Sequence, residues 1–91
     1  SRYAEQVPVC FAFETALWTY DGPGGWHFLT VPTSVSEQVR ALGAGRHGNW
    51  GTVPVTAIIG GTQWKTSIFR DTKRGGYLLP VKGAVRKREQ L

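Results

Sequence analysis

The run TVPVTAIIGGTQWKTSIF, residues 52–69, constrains the fold more than any other stretch of the chain. Val53, Val55, Ala57 and Ile59 fall on one side of a period-two pattern. After Gly60-Gly61 the alternation resumes, with Trp64, Thr66 and Ile68 on one face and Lys65, Ser67 and Phe69 on the other. Period-two patterning predicts strands with one face buried. Two glycines between such strands signal a two-residue hairpin, because glycine accepts the positive φ these turns require. Pro54 has no N–H to give to a ladder, which places the first strand at an edge or a bulge.

The rest of the chain arranges itself around this hairpin. QVPVCFAFETALWTY predicts a long first strand, with Val7, Val9, Phe11, Phe13 and Leu17 on one face and Cys10, Glu14, Trp18 and Tyr20 on the other. DGPGG makes a tight connection to a second strand in WHFLTV, which stops at Pro32. Ser34 with Glu37 three residues on is a capping-box pattern, and Val35, Val39 and Leu42 share a helical face that ends at Gly43. GAGRHGNWG is a glycine-rich loop. Beyond the hairpin, RDTKRGG reads as a turn, YLLPV as a short strand and GAVRKREQL as a helix anchored by Val85. The order is β-β-α-β-β-β-α. Twisted strands in such numbers curl or close to remove their edges. The predicted fold is mainly β: a small closed or split β-barrel of five to six strands, with one or two short helices capping its ends.

Ninety-one residues make a single domain, 1–91, which buries roughly 60–65% of the surface its unfolded chain exposes. An apolar content of 41% and four tryptophans supply one core and exclude disorder. No apolar run approaches the ~20 residues of a membrane span, and no signal-peptide pattern is present. The single cysteine, Cys10, has no partner for an internal disulfide, so a cytoplasmic location is expected. Ser1 and Arg2 precede the patterned sequence, the chain contains no methionine, and both residues are set aside as a cloning remnant or trimmed end.

Charge is distributed unevenly. The chain carries +5 in total, but residues 1–62 sum to −1 and residues 63–91 to +6. Within WKTSIFRDTKRGGYLLPVKGAVRKR, residues 64–88, eight cations face one acid, Asp71. Such asymmetry is the footprint of an anion-binding surface, and also occurs on the solvated side of ordinary small domains.

GGWHFLTVP, GNWGTVPVTAIIGGTQWKTSIF and GGYLLPVKGAVRK together closely resemble the bacterial and archaeal family called domain of unknown function nineteen-oh-five. The W-K-T-S-[IL]-F and Y-L-L-P-V-K-x-x-V-R-K runs are its most specific parts, and the resemblance spans roughly residues 7–88. It implies a compact β-barrel, found in some proteins before a bacteriocin-protection-type domain, and it brings no catalytic residues. Members usually continue past the last helix with a Gly-Asp turn and a V-x-V strand, whereas this sequence stops at Leu91. Either that strand is absent or it lies beyond Leu91; if absent, it leaves a sheet edge open for self-association or strand donation by a partner.

Candidate sites follow from residue chemistry. His27 and His47 have no cysteine or carboxylate at ligand spacing, so no metal and no cofactor is expected. Cys10 reads as a small buried hydrophobe rather than a nucleophile. Ser67 lacks the G-x-S-x-G context, and the glycine-rich loops lack the lysine and strand-to-helix setting of a phosphate loop. Trp50 in its loop and Trp26 at a strand start are natural rim positions; the core is nonetheless the expected place for Trp26 and Trp64, and Trp50 stays open. The candidate surface for an anionic or protein partner is Trp50, Trp64, Lys65, Ser67, Arg70, Tyr77, Lys82 and Arg86. Aromatics beside cations stack bases and neutralise phosphates, so nucleic acid ranks first and a small anionic metabolite second. Arg86 has a structural alternative, pairing with Glu14 or Glu37. Two other readings stand beside the binding module: an enzyme with Lys65, Ser67, Tyr77 or Lys82 in a barrel cleft, and a structural or oligomerisation module that uses its open edge. No membrane partner is expected.

Overall fold

The computed structural model describes residues 9–42 and 52–91. Its elements run β1 (Leu17–Thr19), β2 (His27–Thr30), α1 (Thr33–Ala41), β3 (Thr52–Ile59), β4 (Thr62–Arg70), β5 (Tyr77–Pro80) and α2 (Gly83–Glu89). This is the order expected from the pattern. All neighbouring strands are antiparallel and form one five-stranded sheet, β1-β2-β5-β4-β3. Among the described residues the sheet is open, with β1 and β3 as its edges. Pro54 accordingly lies on an edge strand, where its missing N–H leaves no gap between paired strands.

The β3–β4 hairpin has the register the alternation requires, from Thr52 opposite Phe69 to Ile59 opposite Thr62. Gly60 takes the positive φ of the turn, 56°. Its open side is filled by the carboxylate of Glu89, which occupies the space a Cβ on Gly60 would need. Glu89 Oε2 also accepts a 2.5 Å hydrogen bond from Thr62 Oγ1, so the end of α2 is fastened to the hairpin.

One side of the sheet carries the core. Val31, Val35, Ala57, Ile68, Tyr77 and Leu79 are buried together, with Leu29, Val39, Val53, Val55 and Trp64 half-buried against them. Val35 and Val39 bring α1 onto this side, and Val85 is the buried residue of α2. Among the described residues no helix is long and apolar enough to cross a membrane.

Three local expectations change. The long first strand shrinks to Leu17–Thr19, because β2 offers a partner only along this length and residues 9–16 join no ladder. Phe11 and Phe13 still pack half-buried against the core while Cys10, Ala12 and Glu14 stay exposed. Alternation there reports burial, not pairing, and Cys10 is an exposed thiol instead of a buried one. The capping box does not form either. Pro32 is the N-cap residue, no side chain caps the helix, and Ser34 already lies within it. Leu42 closes α1 as an exposed residue, not a core one. Gly43 and the GAGRHGNWG loop lie outside the described residues.

The serine that matters in α1 is Ser36. It is buried; its Oγ donates to the Val31 carbonyl at 3.4 Å and accepts the Tyr77 N–H at 3.2 Å. Gly76 sits beside it with φ 74°, where a Cβ would come within 3.1 Å of that oxygen. Replacing Ser36 by Ala leaves the buried Tyr77 N–H without a partner, which costs about 1–3 kcal/mol. Chemical denaturation is expected to show a loss in this range for Ser36→Ala, with an unchanged m value.

Candidate functional site

Strand β5 is buried along Tyr77, Leu78 and Leu79, so the outer side of the sheet needs a cover as well as the core side. Aromatic side chains provide it. The register places Trp18 opposite Phe28, and Phe69 opposite Leu78. Phe28 is the buried centre, with ring centroids of Trp18 at 5.2 Å, Phe69 at 5.4 Å, Trp26 at 5.9 Å and Tyr20 at 6.1 Å. Trp18 is oriented by its Nε1–H, which donates to Thr30 Oγ1 at 2.9 Å. Trp26 lies nearly parallel to Phe28, at 10°, while Tyr20 meets it edge-on. Both rims remain in water: Trp26 is 50% exposed and Tyr20 40%.

A cation joins this cluster from the β4–β5 turn. Asp71 Oδ1 accepts the N–H groups of Lys73 and Arg74, both at 3.1 Å, and Gly75 and Gly76 complete the reversal with φ of 80° and 74°. Asp71 Oδ2 holds Arg74 Nη1 at 2.9 Å. That contact sets the guanidinium 4.8 Å from the centroid of the Trp18 ring. Arg74 remains 55% exposed over an Asp71 that is 5% exposed. Guanidinium groups have five N–H donors in a flat fork, so most of this one is left for a ligand.

The eight residues expected to form a binding surface do not gather in one place. Lys65 and Ser67 share the outer register with Phe69, towards the aromatic cluster. Trp64 and Tyr77 belong to the core side, Tyr77 buried and Trp64 half-buried. Arg70 pairs with Tyr77 in the ladder and takes the core-side register too. Lys82 is the exposed N-cap of α2. Trp50 lies outside the described residues. Arg86 is structural, with other partners than Glu14 or Glu37: its Nε–H donates to the Val81 carbonyl at 3.1 Å, and Nη1 lies 3.4 Å from His27 Nε2. His27 Nδ1 is 2.9 Å from the Gly25 carbonyl, which only accepts, so the hydrogen sits on Nδ1 and Nε2 receives Arg86.

Trp26 is the residue whose role changes most. It was expected in the core and instead forms the exposed rim of the outer cluster. Trp18, Phe28, Phe69 and Arg74 were not singled out from the sequence. Their signal was present: Trp18 and Phe69 are large apolar residues on the polar side of their strands. Among the described residues no group of three metal-ligating side chains exists.

Burial alone would raise the Asp71 pKa, but the Arg74 side chain, the two backbone N–H donors and the Arg74 charge outweigh it and hold the carboxyl below its usual range. A depressed carboxylate stabilises the fold fully above its unfolded pKa of about 3.9, and the contribution is lost as pH falls through the lower, folded value. Asp71→Ala is expected to cost about 2 kcal/mol at neutral pH, mostly through the lost backbone bonds, since the exposed guanidinium is screened. The gap between wild type and variant should hold from neutral pH down to about 4 and narrow below it, as read by denaturation at stepped pH.

Neither the curated proteins nor the solved structures contain a match to this chain. The family model described as Domain of unknown function (DUF1905) matches residues 13–91, which include every aromatic of the outer cluster and the Asp71 turn, and the chain belongs to that family.

Proposed function

We propose that the protein is a non-catalytic binding module that takes an anionic partner, nucleic acid ahead of a small anionic metabolite, on the outer side of its sheet. One observation carries this reading: two half-exposed rings, Trp26 and Tyr20, share a cluster with a guanidinium fixed over Trp18. Aromatic platforms beside a cation match the two needs of a nucleic-acid strand, stacking and charge neutralisation. The +6 balance of residues 63–91 supports it, as does the position of Lys65 and Ser67 on the same side. The enzyme alternative receives no comparable support, because Tyr77 is on the core side while Lys65 and Ser67 are on the other.

Two finer features belong to the same proposal. We infer that the sheet is the larger part of a small β-barrel; the packing of Phe11 and Phe13 against the core, and two edges unpaired among the described residues and so free for further strands, support this. We also infer a cytoplasmic location, where the exposed Cys10 persists as a thiol.

A second reading rests on the β3 edge. From Thr52 to Ile59 it carries no charge, and Ile58 is 66% exposed, whereas natural edges are usually blunted with charged side chains. Self-association through this edge predicts a mass that rises with concentration in sedimentation; a monomer at every concentration rejects it.

Binding is tested by titrating a short oligonucleotide at several salt concentrations. Affinity is expected to fall steeply with salt, and Arg74→Ala to lower the log–log slope by about 1. Absence of binding even at low ionic strength overturns the proposal.

A further inference from the structure

We infer that the outer cluster recognises unpaired bases, so that its ligands are single strands and not duplexes; this rests on the binding reading above and specifies its chemistry. The ring that makes the difference is Trp26. Phe28 backs it in a near-parallel stack, and half of its surface remains in water. A flat ring held from behind by another ring is a stacking platform, and every base presents a matching π-face. In a duplex those faces are occupied by neighbouring base pairs, and only the edges and the phosphates meet a protein.

The loop between β1 and β2 is shaped around these rings. A Cβ on Gly24 would lie 2.7 Å from the indole nitrogen of Trp26, and a Cβ on Gly22 would run into the ring of Tyr20. Gly24 also has a φ of 100°, which side-chain-bearing residues rarely adopt. The glycines of DGPGG therefore serve more than the reversal of the chain. They let Trp26 and Tyr20 lie close along the loop backbone, which is itself held by the hydrogen bond from Tyr20 N–H to the Trp26 carbonyl at 2.8 Å. A platform built this way loses little freedom on binding.

Charge is placed for the same ligand. Trp18 and Trp26 each lie within 6 Å of the Phe28 ring, so the guanidinium over Trp18 belongs to the same aromatic layer as the stacking ring. Asp71 engages one guanidinium nitrogen of Arg74, and the remaining donors suit a phosphate of a strand that crosses this layer. The arrangement is one ring for a base and one fork for a phosphate of the same strand.

The experiment compares four ligands on the full chain: a short single strand, its duplex, an abasic strand of the same length, and inorganic polyphosphate. The single strand is expected to bind about tenfold tighter than the duplex or the abasic strand, with quenching of tryptophan fluorescence. Trp26→Ala should remove about tenfold of the single-strand affinity and leave the abasic strand unaffected, with Trp26→Phe restoring part of it. Circular dichroism checks that the variants are folded. If the duplex, the abasic strand or polyphosphate binds as tightly as the single strand, base stacking is rejected while anion binding stands. If Trp26→Ala leaves single-strand affinity unchanged, the platform is rejected. If none of the four binds, both this inference and the reading beneath it fall.

Discussion

Strand β5 is short, apolar and buried on both sides, and the rest of the molecule answers to that constraint. Tyr77 and Leu79 belong to the core under α1, whereas Leu78, between them, needs shelter on the opposite side. That shelter comes from aromatic residues: Phe28 and Phe69, with Trp18, Trp26 and Tyr20 around them. Full burial of a large apolar side chain contributes about 1.5–3 kcal/mol, so the centre of this layer belongs to stability. Its half-exposed rim contributes less to the fold and keeps surface available for a ligand. Cover and binding surface are the same layer, seen at its centre and at its margin.

The basic half of the sequence is not one surface. Each cation is placed by the element that carries it. Arg74 is turned onto Trp18 by the Asp71 turn, Lys65 rides the outer register of β4, and Arg86 ties α2 to the Val81 carbonyl and His27. Net charge over this half attracts anions at a distance, whereas Arg74 stands at short range over the half-buried Trp18 ring. This distinction separates a general positive field from a site.

Element order, the glycine hairpin and the core face of β3 were legible in the sequence, because period-two burial and turn chemistry are local, while the inward face of β4 was left open. What escaped was relational. The first strand reads as long because Phe11 and Phe13 alternate in burial, yet alternation carries no information about a pairing partner. Ser34 and Glu37 have the spacing of a capping box, but Pro32 starts the helix ahead of them. The outer cluster depends on β5 bringing β2 beside β4, which places Phe28 against Phe69. No local pattern announces that meeting. The aromatics on otherwise polar faces were its only trace.

The position of β5 in the chain has a further consequence, for the order in which the molecule assembles. The β1–β2 and β3–β4 hairpins are local and close over short loops. Among the described residues the two are joined in the sheet through β5, which follows both in sequence. The bond from Tyr77 to Ser36 spans 41 residues, so its loop-closure entropy must be met before the core gains its burial. During synthesis the β1–β2 hairpin and α1 therefore emerge without a finished core. Their apolar surface waits until β5 has left the ribosome, and in that interval the nascent protein is exposed to misassociation.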